Sequence, residues 1–302
     1  MGLSIYNIKK WIKMFTGNSV LHVDQSLGEV FTPSKLEGYF NNLTKKVEMQ
    51  PQYLENDCLP TVKTEKGEDI LFPVAIFQYG LGCWDLYLIK KDEKYKIKFL
   101  QCAEWAIENQ DSQGAWNNFF FAYPDHPYGA MAQGEGASLL TRAWQIPKKE
   151  EFLKAAKRAI HFMLQPVEKG GTSKYIDEDL ILLEYTHLPA VLNGWIFSVF
   201  GLYDICLVCE DEKFKTSLNK TLKTLENYMS FFDCDYWSNY DLNNHITSPF
   251  YHHLHIAQMK ALYLITEKEV FLRYEKKWTK EERKKSNKIR AIIHKSIQKI
   301  KE

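Results

Sequence analysis

Hydrophobic and polar positions along the chain alternate between two kinds of stretch, and the alternation occurs four times. Four segments are apolar almost all the way round: FPVAIFQYGLGCWDLYLI (72–89), MAQGEGASLLTRAW (131–144), LNGWIFSVFGLYDICLV (192–208) and HIAQMKALYLI (255–265). Each is followed by a one-sided stretch: IKFLQCAEWAIENQ (97–110), EFLKAAKRAIHFMLQ (151–165), FKTSLNKTLKTLENYMSFF (214–232) and VFLRYEKKW (270–278). A helix that is apolar all round belongs inside a fold, whereas a one-sided helix lies over it. Leu86, Leu140, Leu202 and Leu262 mark corresponding positions, and Phe99, Phe152, Phe214 and Phe271 follow them by 13, 12, 12 and 9 residues. The pattern predicts a mainly α protein, an α/α toroid or barrel of repeated inner–outer helical hairpins. Gly82, Gly136, Gly194 and Gly201 cost helix propensity inside these stretches, which points to close packing between helices.

Residues 20–70 break the pattern. VLHVDQ, TVKT and the turn-forming DCLP predict a short extended segment covering one mouth of the barrel. The chain thus divides into an N-terminal helix and cover segment (1–70), a barrel domain (71–278) and a C-terminal helix (279–302). The connections are asymmetric. Inner-to-outer links are short, such as KKDEKYK and QIPKKE, whereas outer-to-inner links are long, at 110–130, 166–190 and 233–254. Structureless connections beyond about 12–15 residues are uncommon in compact domains and are often functional. In a barrel of hairpins all three long links meet at one end, and that end is the predicted site.

Composition then changes the picture in three ways. Near-balanced charge, 39 Lys+Arg against 38 Asp+Glu, argues against nucleic acid as a partner. The balance is uneven along the chain: residues 273–302 hold 12 Lys+Arg and 4 Asp+Glu, a charge of +8, leaving −7 for the remainder. Ile289, Ile292, Ile293, Ile297 and Ile300 make this tail a basic amphipathic helix, and SIYNIKKWIKMF near the N-terminus repeats the theme. Docking of both onto the fold is the simpler expectation; peripheral contact with an anionic membrane and homodimerisation stay open. With no secretory h-region and no uninterrupted apolar span, the expected location is cytoplasmic with reduced cysteines. Finally, the aromatic share is 14%, and tyrosines crowd the long links: Tyr123, Tyr128, Tyr175, Tyr185, Tyr236, Tyr240 and Tyr251. Aromatic faces stack on sugar rings, and phenols and imidazoles carry protons. Two such groups on opposite faces of a carbon α to a carboxylate could epimerise it, or eliminate a β leaving group. His252, His253 and His255 have no acidic partner at a recognised metal spacing, so neither metal nor cofactor is expected.

At these links the sequence resembles the D-glucuronyl C5-epimerase family of heparan sulfate and heparin-type polysaccharide synthesis. The matching stretches are FPVAIFQYGLG (72–82), NQDSQGAW (109–116), YGAMAQGEG (128–136), LEYTHLPAVLNGWIFSVFGLYDI (183–205), YDLNN (240–244) and YHHLHIAQM (251–259). The resemblance implies an α/α barrel that removes the C5 proton of a glucuronate residue within a uronic-acid polysaccharide and returns a proton from the other face, giving iduronate without a cofactor. It places acid/base candidates at Tyr185, Tyr240 and Tyr251, with Glu184 as polariser. Candidate substrate contacts are Tyr79, Trp116, Tyr128, Gln133 and Asn193, together with Lys174, Asn243, His252 and His255. Two departures stand out. The family's arginine in YDLR is Asn243 here, removing a permanent cation for which Lys174 or a histidine of 252–255 is the expected substitute. The β-rich module that animal members insert after QYGL is missing, since QYGLGCWDLYLIKKDEKYK runs straight into an outer helix. A uronate polysaccharide lyase on the same fold and a non-catalytic glycan-binding protein are the alternatives; a glycoside hydrolase would need a second placed carboxylate beside Glu184.

Overall fold

The structure, a computed structural model, describes residue 19, residues 22–146 and residues 149–301. The expected N-terminal helix over SIYNIKKWIKMF lies outside the described residues. The first elements are a short helix α1 (Thr44–Glu48) and an antiparallel hairpin of β1 (Thr61–Lys63) and β2 (Asp69–Leu71), with Val62 opposite Ile70. Four helical hairpins follow: α2 (Pro73–Lys90) with α3 (Glu93–Glu108), α4 (Ala130–Gln145) with α5 (Glu150–Met163), α6 (Leu192–Val208) with α7 (Glu212–Tyr228), and α8 (Pro249–Thr266) with α9 (Glu269–Glu282). A second antiparallel hairpin, β3 (Ser173–Ile176) with β4 (Asp179–Leu182), precedes α6, so the 166–190 link is not structureless as expected. The chain ends in α10 (Lys285–Lys301).

The alternation of patterns becomes an alternation of layers. Helices α2, α4, α6 and α8 stand side by side in that order, and α3, α5, α7 and α9 pack outside them. Local chemistry sets the boundaries. Asp92 and Asp211 cap α3 and α7, accepting from the Lys94 N–H and from the Lys213 and Phe214 N–H groups. Proline occupies the start of α2 and α8, where its missing N–H costs nothing. Between α4 and α6 the backbones touch: a Cβ on Gly201 would lie 2.2 Å from the Gly134 carbonyl oxygen. Trp195, Phe77 and Phe214 are fully buried between the layers, each such side chain contributing about 1.5–3 kcal/mol.

The segment before α2 plugs the mouth formed by the C-terminal ends of the inner helices. Arg142 of α4, wholly buried, pairs with Asp204 of α6 and donates to the Glu37 and Gly38 carbonyls at 3.0 Å each. The Tyr39 N–H donates to Asp85 of α2 at 3.0 Å, and Phe40 stacks on Phe200 at 4.0 Å. The same segment links the first and last inner helices. Leu43 and Val47 lie against Gly82 of α2, while Asp24 pairs with both Lys45 of α1 and His253 of α8. Of the expected extended stretch, TVKT contributes to β1 and VLHVDQ forms no strand among its described residues.

The basic tail breaks at residues 283–284, later than the expected boundary at 279. Helix α10 docks through Ala291, buried against Trp237 and Ile246, and leaves Ile289, Ile293, Ile297 and Ile300 exposed. Among the described residues no helix is long and apolar enough to cross a membrane.

Candidate active site

The three long links converge at the N-terminal ends of the inner helices. After β4 the chain crosses the start of α4, where the Ala130 N–H donates to the Leu183 carbonyl at 2.8 Å. It then passes the 233–254 link as a short antiparallel pairing. The Leu192 N–H donates to the Tyr240 carbonyl at 3.0 Å, and the Leu242 N–H to the Ala190 carbonyl at 3.1 Å. Asp241 stabilises the turn after Tyr240 by accepting from the Asn243 and His245 N–H groups and pairing with His245 Nδ1 at 2.7 Å. Tyr251 sits in the first turn of α8, capped by Ser248.

These backbone contacts bring Glu184, Tyr185, Tyr240 and Tyr251 into one cluster. The Tyr240 and Tyr251 rings lie edge to face at 5.1 Å. Tyr185 stacks on Phe119 at 4.7 Å and meets Tyr123 at 5.9 Å, while His22 packs against Tyr251 at 5.8 Å. All three tyrosines keep partial solvent exposure. Glu184 is buried, 8% exposed, and its carboxylate leans on Gly194 at the start of α6. Its Oε2 has no hydrogen-bond partner among the described residues.

Burial pushes the Glu184 carboxyl up to about 7, with Tyr185 as a hydrogen-bond partner pulling it partly back. Burial lifts the Tyr185 and Tyr240 phenols well above their usual value, and the charge of Glu184 adds to both. Tyr251 is raised for the same two reasons. The cluster therefore holds three neutral phenols around one carboxyl that ionises near neutrality. Such phenols give up a proton only as another arrives, and the carboxyl is the single adjustable acceptor among them.

A second carboxyl lies deeper. Glu135 of α4 is fully buried, accepts from Gln78 Nε2 of α2 at 2.8 Å through Oε1, and has no partner at Oε2 among the described residues. Burial lifts it to about 8; Gln78 and Lys46 oppose the rise and Glu184 adds to it.

The remaining expected contacts divide. Asn193 is buried beside Gly194 with Oδ1 unpartnered among the described residues, and Asn243 is exposed at the turn after Tyr240. Tyr128 is half-buried and turned toward Asp111, to which its hydroxyl donates at 2.7 Å. Lys174 is exposed on β3, opposite Ile181. Five expectations need correction, because their side chains are buried and committed elsewhere. The Tyr79 hydroxyl donates to the Gln50 carbonyl at 3.2 Å. Trp116 Nε1 donates to the Ala106 carbonyl at 2.8 Å, and Gln133 is bound to the Trp116 backbone. His252 stacks on Trp237 at 3.7 Å, and both His252 and His255 face Ser238 Oγ through Nδ1. Burial holds both imidazoles far below their ordinary value, so neither supplies the expected cation. His253 is cationic, raised to about 10 by hydrogen bonds to Asp24 and Glu282, but those two carboxylates hold it.

Sequence reasoning missed Glu135, whose setting only the fold reveals, and Lys295 of α10, whose Nζ lies 5.7 Å from the Tyr240 ring centroid. Among the described residues no group of three His, Cys, Asp or Glu side chains is placed to hold a metal ion.

Comparison with known proteins gives a consistent picture. Residues 110–280 match the family model described as D-glucuronyl C5-epimerase C-terminus. A D-glucuronyl C5-epimerase of Caenorhabditis elegans is 26% identical over 221 residues, covering 63% of this chain and 36% of that protein. The chain thus spans about a third of that relative's length. An uncharacterized protein of Methanocaldococcus jannaschii is 29% identical over 278 residues, covering 76% of this chain and 90% of the relative. Among solved structures, cellobiose 2-epimerase from Bacillus thermoamylovorans superposes with a TM-score of 0.52 at 11% identity, covering 71% of this chain and 61% of that one. UGL with dGlcA-Glc-Rha-Glc gives a TM-score of 0.50 at 10% identity, covering 94% and 82%. These two likenesses bear on the fold, an α/α barrel. The family match contains Glu184, Tyr185, Tyr240 and Tyr251 and stops short of α10.

Proposed function

The chain belongs to the D-glucuronyl C5-epimerase C-terminus family, and from that premise we propose that it inverts C5 of uronate residues within a polysaccharide, D-glucuronate to L-iduronate, by proton transfer among Glu184, Tyr185, Tyr240 and Tyr251. The observation that carries this reading is the convergence of three partly exposed tyrosines on one buried, near-neutral carboxyl.

In this reading the ionised Glu184 takes the Tyr185 hydroxyl proton as Tyr185 oxygen removes the C5 proton. The C5–H electron pair passes into the neighbouring carboxylate as an enediolate. Tyr240 or Tyr251 then delivers its hydroxyl proton to the opposite face of C5 as it takes a replacement proton from solvent, and Glu184 releases its proton to solvent, which restores the starting state. Concerted transfer avoids ever forming a free buried phenolate, which burial disfavours here. Each placed proton transfer is worth typically about 10²–10⁴ in rate.

Incubation of heparosan-type polymer in D2O tests the proposal. Loss of the H5 signal with appearance of iduronate supports it. Chain shortening with an unsaturated, ultraviolet-absorbing uronate would mark a lyase instead. Saccharide binding without exchange across several uronate polymers would leave only a glycan-binding protein.

A further inference from the structure

We propose that Lys295, on the C-terminal helix α10, is the cation that receives the uronate carboxylate at this site, and that α10 is thereby part of the substrate cleft. The inference rests on the uronate reading above for the identity of the ligand. Its physical need is plain: moving the C5 electron pair into a carboxylate doubles the negative charge there, and a fixed cation is the direct way to stabilise it. The family's usual cation is replaced by Asn243, which is neutral and exposed.

The geometry points to Lys295 because α10 is fastened to the link that carries Tyr240. Gln298, one turn beyond Lys295, accepts from the Ile246 N–H at 2.9 Å and donates to the Asn244 carbonyl at 3.0 Å. His294 Nδ1 meets the Tyr236 hydroxyl at 3.0 Å, and the Arg290 guanidinium lies over the Tyr236 ring at 3.8 Å. Ala291 is buried against Trp237 and Ile246. Positions 291, 294, 295 and 298 share one helical face, so these contacts hold the half-buried Lys295 over Tyr240, its Nζ 5.7 Å from the ring centroid. The helix from 285 to 301 contains no Asp or Glu. A polymer with a carboxylate on alternate sugars fits such a basic edge beside an acidic body.

Calorimetric binding of a heparosan oligosaccharide, and of the same oligosaccharide with its carboxyls reduced to alcohols, tests this on the full chain. Lys295→Met should weaken heparosan binding by about tenfold or more, the value of one charge-assisted contact. Lys295→Arg should restore most of it. Lys301→Met should stay within about twofold, and binding of the reduced oligosaccharide should be indifferent to Lys295→Met. An unchanged Kd in Lys295→Met, equal loss of both oligosaccharides, or no heparosan binding by the native chain overturns the inference. Deuterium exchange in the native chain with an unchanged Kd in Lys295→Met would sink this inference and leave the epimerase reading standing. Carboxylate-dependent loss of binding without any exchange would do the reverse.

Discussion

Gly194→Ala should disable the site without disturbing the fold. Gly194 is in the first turn of α6, in ordinary helical conformation, so an alanine is acceptable to the backbone and improves helix propensity by about 1 kcal/mol. The added methyl, however, would lie 2.2 Å from Glu184 Oε2 and 2.6 Å from Glu184 Cβ, where real contacts below 3.0 Å do not occur. The carboxylate must withdraw by about 1 Å, and a misplacement of that size in a catalytic group costs about 10²-fold in rate. Overpacking costs about 1–3 kcal/mol, so the net loss of stability is about 0–2 kcal/mol. Gly201→Ala is the control. Its methyl would meet the Gly134 backbone at 2.2 Å, which cannot step aside, so stability should fall first and activity only with it. Urea denaturation and the rate of H5 exchange in D2O measure the two effects. Full exchange activity in Gly194→Ala would refute the placement of Glu184 in the chemistry. Equal ratios of activity to stability in the two variants would refute the distinction.

Three further outcomes follow from the charges. With Glu184 near 7, its ionised fraction rises about tenfold from pH 6 to pH 8, and the exchange rate should rise with it; Glu184→Gln should be slower by about 10²–10⁴ and lack this limb, and a native profile flat over that range contradicts the assignment. Glu135, raised by burial, stabilises the fold relative to the unfolded chain only while protonated, so that contribution is complete below its unfolded value and is lost as pH rises through about 8. The stability of the native chain should fall by about 3 kcal/mol more than that of Glu135→Gln between pH 6 and pH 9, and parallel curves would rule this out. His253, raised to about 10 by Asp24 and Glu282, contributes stability that is complete below about 6.5 and disappears as pH climbs through 10. The native chain should therefore be more stable than His253→Gln at pH 6 and converge with it by about pH 10, whereas a gap independent of pH would mean the ion pairs contribute nothing.

The alternation of layers was legible because burial is written in periodicity: the 192–208 stretch is apolar all round and lies inside, whereas 214–232 is one-sided and lies outside. Link length pointed to one end of the barrel, and Tyr185, Tyr240 and Tyr251 gather there. What text alone hides is direction. His252 and His255 read as polar residues at the site, yet helix α8 turns both inward behind Trp237 and Trp278, where a charge is too costly to keep. Tyr79 sits among matching residues, but its ring faces Tyr53 and the α1 side of the barrel. Lys295 was invisible for two reasons. Its contact lies 55 residues from Tyr240 in the chain, and the isoleucines of α10 suggest docking through the opposite face. A cover over one mouth was expected from residues 20–70, but nothing singled out residues 36–40, because their bonds to Arg142, Asp85 and Trp84 are made through the backbone, which has no sequence signature.

The central claim is that the tyrosine cluster moves protons to and from C5 of a uronate. The deuterium content at C5 of iduronate formed from heparosan in D2O tests it most directly, in the native chain and in the triple variant Tyr185→Phe, Tyr240→Phe, Tyr251→Phe. The native chain should yield iduronate deuterated at C5, and the triple variant, with its fold confirmed by circular dichroism, should yield none. Iduronate that retains its original C5 proton, or a triple variant that exchanges at the native rate, contradicts the account.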